Sequence, residues 1–110
     1  MTDKRDPHAA ADFIIRSAKP YAQAKSQRLY LEEHRKALKA LLMNESTGKT
    51  VADREQYAYS HKTYQELLNS YKNAILDEET LRIKIRAAEL VIEVWRSENA
   101  SNRNQDRTMR

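Results

Sequence analysis

The chain has little of what turns and strands require. Its 110 residues include one Gly and two Pro, which excludes an all-β fold because sandwiches and barrels need many tight turns and bulges. Cys is absent, which excludes disulfides, thiolate metal ligands and Cys nucleophiles. No apolar run approaches the ~20 residues that span a bilayer, and residues 1–12 lack the apolar segment of a signal peptide. We therefore expect a cytoplasmic protein with no membrane association.

What is abundant is typical of surface helices. The chain has 14 Ala, and 33% of its residues are charged. Leu, Ile, Val and Phe together number only 20, so the core is expected to be thin. We predict an all-α fold, a helical hairpin or coiled-coil bundle with one long C-terminal helix, which completes its burial as an oligomer or on a partner.

The first half predicts two helices and a loop within a single helical domain over residues 1–110. Asp6-Pro7 is a helix start, which predicts a short helix over 7–18. Pro20 interrupts it by a kink or a fresh start, and a second helix follows over 20–43. Residues 44–50 hold the only Gly and form a loop.

The second half predicts one long helix over 52–102. Two series of residues repeat every seven positions and mark its buried seam. They are Tyr57, Tyr64, Tyr71, Glu78, Ile85 and Ile92, and Leu67, Ala74, Leu81, Ala88 and Trp95. An alternative breaks the helix near 77, where three acidic residues follow one another. Residues 103–110 have no apolar periodicity and are expected to be a disordered tail.

Beyond Leu81 this helix is apolar on two sides, and one neighbouring helix covers only one of them. The second stripe predicts self-association, with the N-terminal helix folding over it as the alternative. The predicted oligomer or partner interface comprises Leu81, Ile83, Ile85, Leu90, Ile92, Val94 and Trp95.

The sequence carries no pattern of an enzyme or of a cofactor site. The Gly48-Lys49-Thr50 run resembles a phosphate-binding loop, but the first Gly of that motif falls on Met43 at a helix end. The three His are too scattered for a metal site, and a small set of helices offers little concavity for paired carboxylates. We expect no catalytic activity, no metal and no cofactor.

The whole charge excess of +4 lies in residues 1–50, which suits contacts with nucleic acid phosphates. The alternative is that these cations only solvate a helix. Tyr59 lies off the heptad among cations, so it is the candidate for stacking on a base. The predicted nucleic-acid-binding residues are Arg28, Arg35, Lys36, Lys39, Lys49, Arg54 and Tyr59.

Three features together resemble a known family. A long helix ends in a loop containing Thr47-Gly48-Lys49, an aromatic segment runs from Tyr57 to Tyr71, and the run DEETLRIKI over 77–85 leads into a final amphipathic helix. Over residues 29–96 this pattern resembles the small helical recombination mediators of tailed bacteriophages.

The resemblance implies an oligomeric protein that binds single-stranded DNA and helps to load a recombinase against single-strand-binding protein. For a phage protein the location is the cytoplasm of a bacterial host. Two hypotheses of other classes stay open. One is an adaptor or inhibitor that docks on a host protein through its exposed apolar stripe, and the other is a coiled-coil spacer without a ligand.

Overall fold

The computed structural model describes residues 6–108, which form three α-helices and, within that range, no strand. Helix α1 spans Pro7–Glu45, α2 spans Val51–Ser60 and α3 spans Lys62–Thr108. The predicted all-α fold is confirmed. None of these described helices carries an apolar stretch long enough to cross a membrane.

Helix α1 begins at the predicted residue but does not stop at the predicted one. The backbone N–H of His8 donates to Asp6 Oδ1 at 2.9 Å, and Pro7 is the first helical residue. The structure corrects the predicted fresh start at Pro20, because one helix passes through this residue and joins the segments 7–18 and 20–43. An internal Pro costs a helix about 3 kcal/mol, because it removes one backbone hydrogen bond and its ring crowds the preceding turn.

A short loop joins α1 to α2 close to the predicted 44–50. The Thr50 hydroxyl caps α2 by accepting a hydrogen bond from the Asp53 N–H at 3.1 Å. Gly48 is required by space, since a Cβ there would lie 2.8 Å from the Asp53 Cβ. The backbone is thus drawn tightly against the first turn of α2.

The predicted helix over 52–102 is two helices, and the boundary is at His61 rather than near 77. The His61 N–H donates to the Ala58 carbonyl at 3.2 Å, and the Thr63 N–H donates to His61 Nδ1 at 3.1 Å. Side-chain and turn hydrogen bonds replace helical ones here without any Gly or Pro. The helix changes phase at this point, so Ala58 is buried and the predicted seam residue Tyr57 is exposed.

Helix α3 continues without interruption through 77 and past the predicted end at 102. The expected disordered tail is helical as far as Thr108, whose hydroxyl donates to the Gln105 carbonyl at 2.8 Å. The segment contains no Gly or Pro, so its backbone hydrogen bonds can continue the helix. The loss of apolar periodicity means only that this part of the helix has few side chains to pack. Residues 109 and 110 of the predicted tail lie outside the described residues.

The helices pack as two compact units. Unit 1 combines the described residues up to Tyr21 with those from Thr80 onward, and unit 2 comprises Ala22–Glu79. The single helical domain that the sequence predicts stays a prediction.

Unit 2 contains a helical hairpin with a heptad register. Leu42 packs with Ala58 and Tyr64 in the buried cluster, with Leu38, Met43 and Leu68 around them. Arg35 is seven residues before Leu42 on α1, and it contacts Tyr71, which is seven residues after Tyr64 on α3. The predicted seam of α3 is thereby confirmed over unit 2 from Tyr64 onward, where its members are buried or half-buried.

Unit 1 is built on small side chains. Among its described residues, the buried ones are Ala10, Ser17 and Ala88, while seam residues such as Leu81 and Ile85 are half-buried. The start of α1 lies beside α3, and the two helices line an open groove of about 450 Å³. The groove residues are Asp6, Ala9, Ala10 and Phe13 on α1, and Lys84, Ala87, Ala88 and Val91 on α3.

Candidate functional site

The seven residues predicted to bind nucleic acid fall into two groups in unit 2. Arg28, Arg35 and Lys39 are partly buried and engage residues of α2 or α3. The other four side chains are exposed. These four are Lys36, Lys49, Arg54 and Tyr59.

Arg28 makes the most enclosed charge contact. Its guanidinium donates two hydrogen bonds to Glu78, the Nη2–Oε2 pair being 3.2 Å apart, and Nη1 also donates to Glu32 at 3.3 Å. Glu78 is 7% exposed, and its hydrogen bond to Arg28 raises the pKa of that guanidinium above its ordinary value. Because the fork of Arg matches both carboxylate oxygens, Arg28 fixes the hairpin register and presents little of its charge to a ligand.

Arg35 lies over an aromatic ring instead of facing solvent. Its guanidinium carbon is 5.3 Å from the centre of the Tyr71 ring, which is a cation–π contact. Arg35 and Arg28 are seven residues apart on α1, so both occupy seam positions. The sequence contains this signal, since Ile14, Tyr21, Arg28, Arg35 and Leu42 are each seven residues apart and therefore share one face of α1.

Lys39 links α1 to α2. Its ammonium lies 4.8 Å from the centre of the Tyr59 ring and 3.9 Å from a Glu55 carboxylate oxygen. The hydrogen bond to the Tyr59 hydroxyl, with a smaller contribution from Glu55, raises the pKa of Lys39 above its ordinary value. Tyr59 is also held edge-on to Tyr64, with 5.4 Å between ring centres. Its ring is therefore pre-oriented while 41% of the residue stays exposed.

Three exposed cations of unit 2 lie on the loop and on the helices that it joins. Lys49 is in the loop itself, and Arg54 is in the first turns of α2, where its Nε donates to the Gly48 carbonyl at 3.0 Å. Lys36 is on α1, with its ammonium 3.3 Å from Glu33. Surface pairs of this kind are weak and open readily to a competing anion.

A shallow surface along α2 adjoins Tyr59, and the sequence did not single it out. Its residues recur at one-turn spacing on one face of the helix, and the open volume is about 740 Å³. They are Val51, Ala52, Glu55, Gln56, Tyr59 and Ser60. The surface is mainly apolar, with one acidic side chain at its edge.

The predicted interface residues of α3 also separate into two groups, both in unit 1. Leu81, Ile85 and Ile92 are half-buried and belong to the seam of the unit. The other four are exposed, with Ile83 at 60% and Leu90 at 44%. These four are Ile83, Leu90, Val94 and Trp95.

The start of α1 covers only one border of this second stripe. Phe13 lines the groove with Ala87 and Val91, so the alternative of an N-terminal helix folded over the stripe holds at that border. Ile83 and Leu90 remain exposed beyond it.

A second surface lies near the end of α3. The sequence did not predict it, because the tail was expected to be disordered. Its residues share one side of the helix and enclose an open groove of about 350 Å³. They are Trp95, Arg96, Asn99, Asn102, Arg103 and Asp106. The available signal was the absence of any helix breaker after Trp95.

Among the described residues no three His, Asp or Glu side chains come together as metal ligands. Comparison of the chain with protein-family models, curated proteins and solved structures gives no match. The functional argument therefore depends on the geometry of the basic and aromatic residues and of the exposed stripe.

Proposed function

We propose that this protein is a non-enzymatic accessory protein that binds single-stranded DNA and assists a recombination or replication protein. The observation that carries the proposal is the half-exposed Tyr59 ring, which Lys39 and Tyr64 hold in place, in a unit whose loop and α2 also carry the exposed cations Lys49 and Arg54. Stacking on a fixed aromatic ring contributes ~1–3 kcal/mol per base, and neighbouring cations bind the phosphates.

The division of the basic residues narrows the proposed interface. Arg28 and Arg35 hold the hairpin together, whereas Lys36, Lys49 and Arg54 are the proposed phosphate contacts. For each phosphate contact on a single strand, the logarithm of the binding constant falls by ~0.7 when the salt concentration rises by one log unit. Three contacts thus predict a slope of about −2.

The test is fluorescence anisotropy with a labelled single strand of about 30 nucleotides at several salt concentrations. The double variant K49E/R54E is expected to bind at least tenfold more weakly than the wild type. The double variant K19E/K25E changes net charge equally on exposed positions of α1 and is the matched control. Equal losses in both variants, or binding that ignores salt, would contradict the proposed site.

The resemblance to the phage recombination mediators supports the same proposal over residues 29–96. It adds the proposed partners, a recombinase and single-strand-binding protein, and the proposed location, the cytoplasm of a bacterial host. Pull-down of a recombinase only in the presence of single-stranded DNA is the expected behaviour. A complex that forms equally without DNA favours the next candidate.

The second candidate function is a protein-binding adaptor or inhibitor. It is favoured by the exposure of Ile83, Leu90 and Val94 along one side of α3. Large apolar side chains grouped on a surface are typical of interaction sites. Under this hypothesis the double variant I83D/L90D abolishes binding to the partner protein, and K49E/R54E leaves that binding nearly intact.

We also propose that the protein self-associates through the same stripe. The buried apolar set of the described chain contains only seven residues, four of them Ala, so intramolecular burial is small. Burial of the stripe against another copy adds apolar area that the single chain leaves in water. Light-scattering mass on a sizing column measures this directly.

A further inference from the structure

The exposed stripe of unit 1 has the spacing of a second coiled-coil seam. Ile83, Ala87, Leu90 and Val94 are separated by four, three and four residues. In heptad notation Ile83 and Leu90 occupy d, while Ala87 and Val94 occupy a. This seam lies on a different side of α3 from the half-buried residues Leu81, Ile85 and Ile92.

The two flanks of this seam differ. The flank toward the groove carries Lys84 and Val91, which lie next to the start of α1 together with the exposed seam residue Ala87. The opposite flank carries Arg86 and Glu93, with side chains 55% and 54% exposed. On this open flank two opposite charges stand seven residues apart, and the Arg86 Nη1 donates to Glu93 Oε1 at 3.4 Å.

This charge pattern selects the orientation of a second copy. When two identical helices pair antiparallel, like flanks face each other, so Arg86 of each copy meets Glu93 of the other. In a parallel in-register pair, Glu93 of one copy would face Glu98 of the other, and the like charges repel. The flank therefore complements itself only in the antiparallel arrangement.

The apolar residues agree with the same register. When Arg86 faces Glu93, the layers of the seam pair Ile83 with Val94 of the second copy and Ala87 with Leu90 of the second copy. Each Ala is then opposite a Leu, which fills the space that an Ala–Ala layer would leave. The segment is already helical in the single chain, so pairing orders little additional backbone.

We propose that residues 83–94 of α3 form an antiparallel homodimer seam with the same residues of a second copy. Its layers are Ile83–Val94 and Ala87–Leu90, and reciprocal Arg86–Glu93 ion pairs border one side. This inference rests on the self-association proposed above and adds the partner, the orientation and the register.

The absence of Cys in the sequence makes disulfide trapping a clean test. The single variants I83C and V94C are mixed, oxidised and analysed by non-reducing gel electrophoresis. The mixture is expected to give a cross-linked heterodimer, because a disulfide needs Cα atoms within about 7 Å. Neither variant alone is expected to cross-link, since antiparallel copies of one position are about 16 Å apart along the helix axis.

The charges provide a second, independent measurement by sedimentation equilibrium. R86E or E93R alone is expected to raise the dimer dissociation constant about tenfold, because each creates two like-charge contacts. The double variant R86E/E93R restores the pairs and is expected to return the constant to within about threefold of wild type. Far-UV circular dichroism serves as the control that each variant remains helical.

The outcomes separate the register from self-association itself. A wild type that stays monomeric at all concentrations overturns both. A wild-type dimer in which I83C alone cross-links overturns the antiparallel orientation. A dimer in which the mixture fails to cross-link, or in which the charge swap fails to restore affinity, overturns the register and leaves self-association standing.

Discussion

The two units of this chain are stabilised differently. In unit 2 the polar side chains of the seam have specific partners, Glu78 for Arg28 and Tyr71 for Arg35, next to a cluster around Leu42. Among the described residues of unit 1, the buried ones are the small Ala10, Ser17 and Ala88. The contrast lies in what is buried, since unit 2 buries large side chains such as Leu31, Leu42 and Tyr64, whereas large apolar side chains remain exposed in both units.

Charge follows the same division. The basic residues of unit 2 look equivalent in the sequence. In the structure Arg28 and Arg35 contact other side chains of the hairpin, and only the exposed cations remain available to a ligand. In unit 1 the charges on the open flank of α3 form an i, i+7 pair that can re-form with another copy. The proposed DNA binding therefore uses unit 2 and the proposed self-association uses unit 1, so the two proposals can be tested separately.

The largest expected contrast comes from one Leu in each unit. Leu42 is 3% exposed, so L42A should lower the free energy of unfolding by about 2–4 kcal/mol. Leu90 is an exposed residue, so L90A should cost less than about 1 kcal/mol of monomer stability while it weakens association. Urea denaturation of dilute protein, with sedimentation equilibrium alongside, measures both. Equal losses of stability would remove the distinction between the units.

The next effect concerns the charged layer of unit 2. E78A should destabilise the hairpin, though less than L42A, because Arg28 keeps Glu32 at 3.3 Å. Replacing both partners, as in R28L/E78L, should recover most of the loss, since neither charge is left buried alone. Thermal unfolding followed at 222 nm compares the variants. A double variant less stable than E78A would show that the pair contributes net stability.

A smaller effect is expected in the loop of unit 2. G48A places a Cβ 2.8 Å from the Asp53 Cβ, so the first turn of α2 must shift. The expected loss is about 1 kcal/mol in urea denaturation, together with weaker DNA binding because Lys49 and Arg54 move. The control variant T47G changes the preceding loop residue and leaves Gly48 in place, so its free energy of unfolding should change by less than about 0.5 kcal/mol. Unchanged stability in G48A would show that the loop yields freely.

The smallest effect is a dependence on alkaline pH. The pKa of Lys39 is raised above its ordinary 10.5, so its contribution is complete below that value and is lost as pH rises through the higher pKa of the folded state. The stability advantage of wild type over K39M should be constant from pH 7 to 10 and shrink above it. An advantage that persists undiminished at pH 12 would contradict a stabilising charge at Lys39.

Local sequence signals were sufficient for most of the fold. Helix content follows from the shortage of Gly and Pro, and the start of α1 from Asp6-Pro7. The seam of α3 from Tyr64 to Glu78 follows from its heptads, because periodicity determines which side chains share a face, whereas the predicted seam residue Trp95 is exposed. The break at His61 was missed because hydrogen bonds of side chains and turns, rather than a helix-breaking residue, produce it.

The sequence by itself determined an all-helical chain with a basic first half and two apolar stripes on its last helix. Only the tertiary structure decided which of these residues are available. Arg28 and Lys36 both carry a positive charge on α1, but Arg28 binds Glu78 in the hairpin and Lys36 faces solvent. Composition records a side chain's chemistry, whereas its partners depend on the pairing of helices that are distant in sequence.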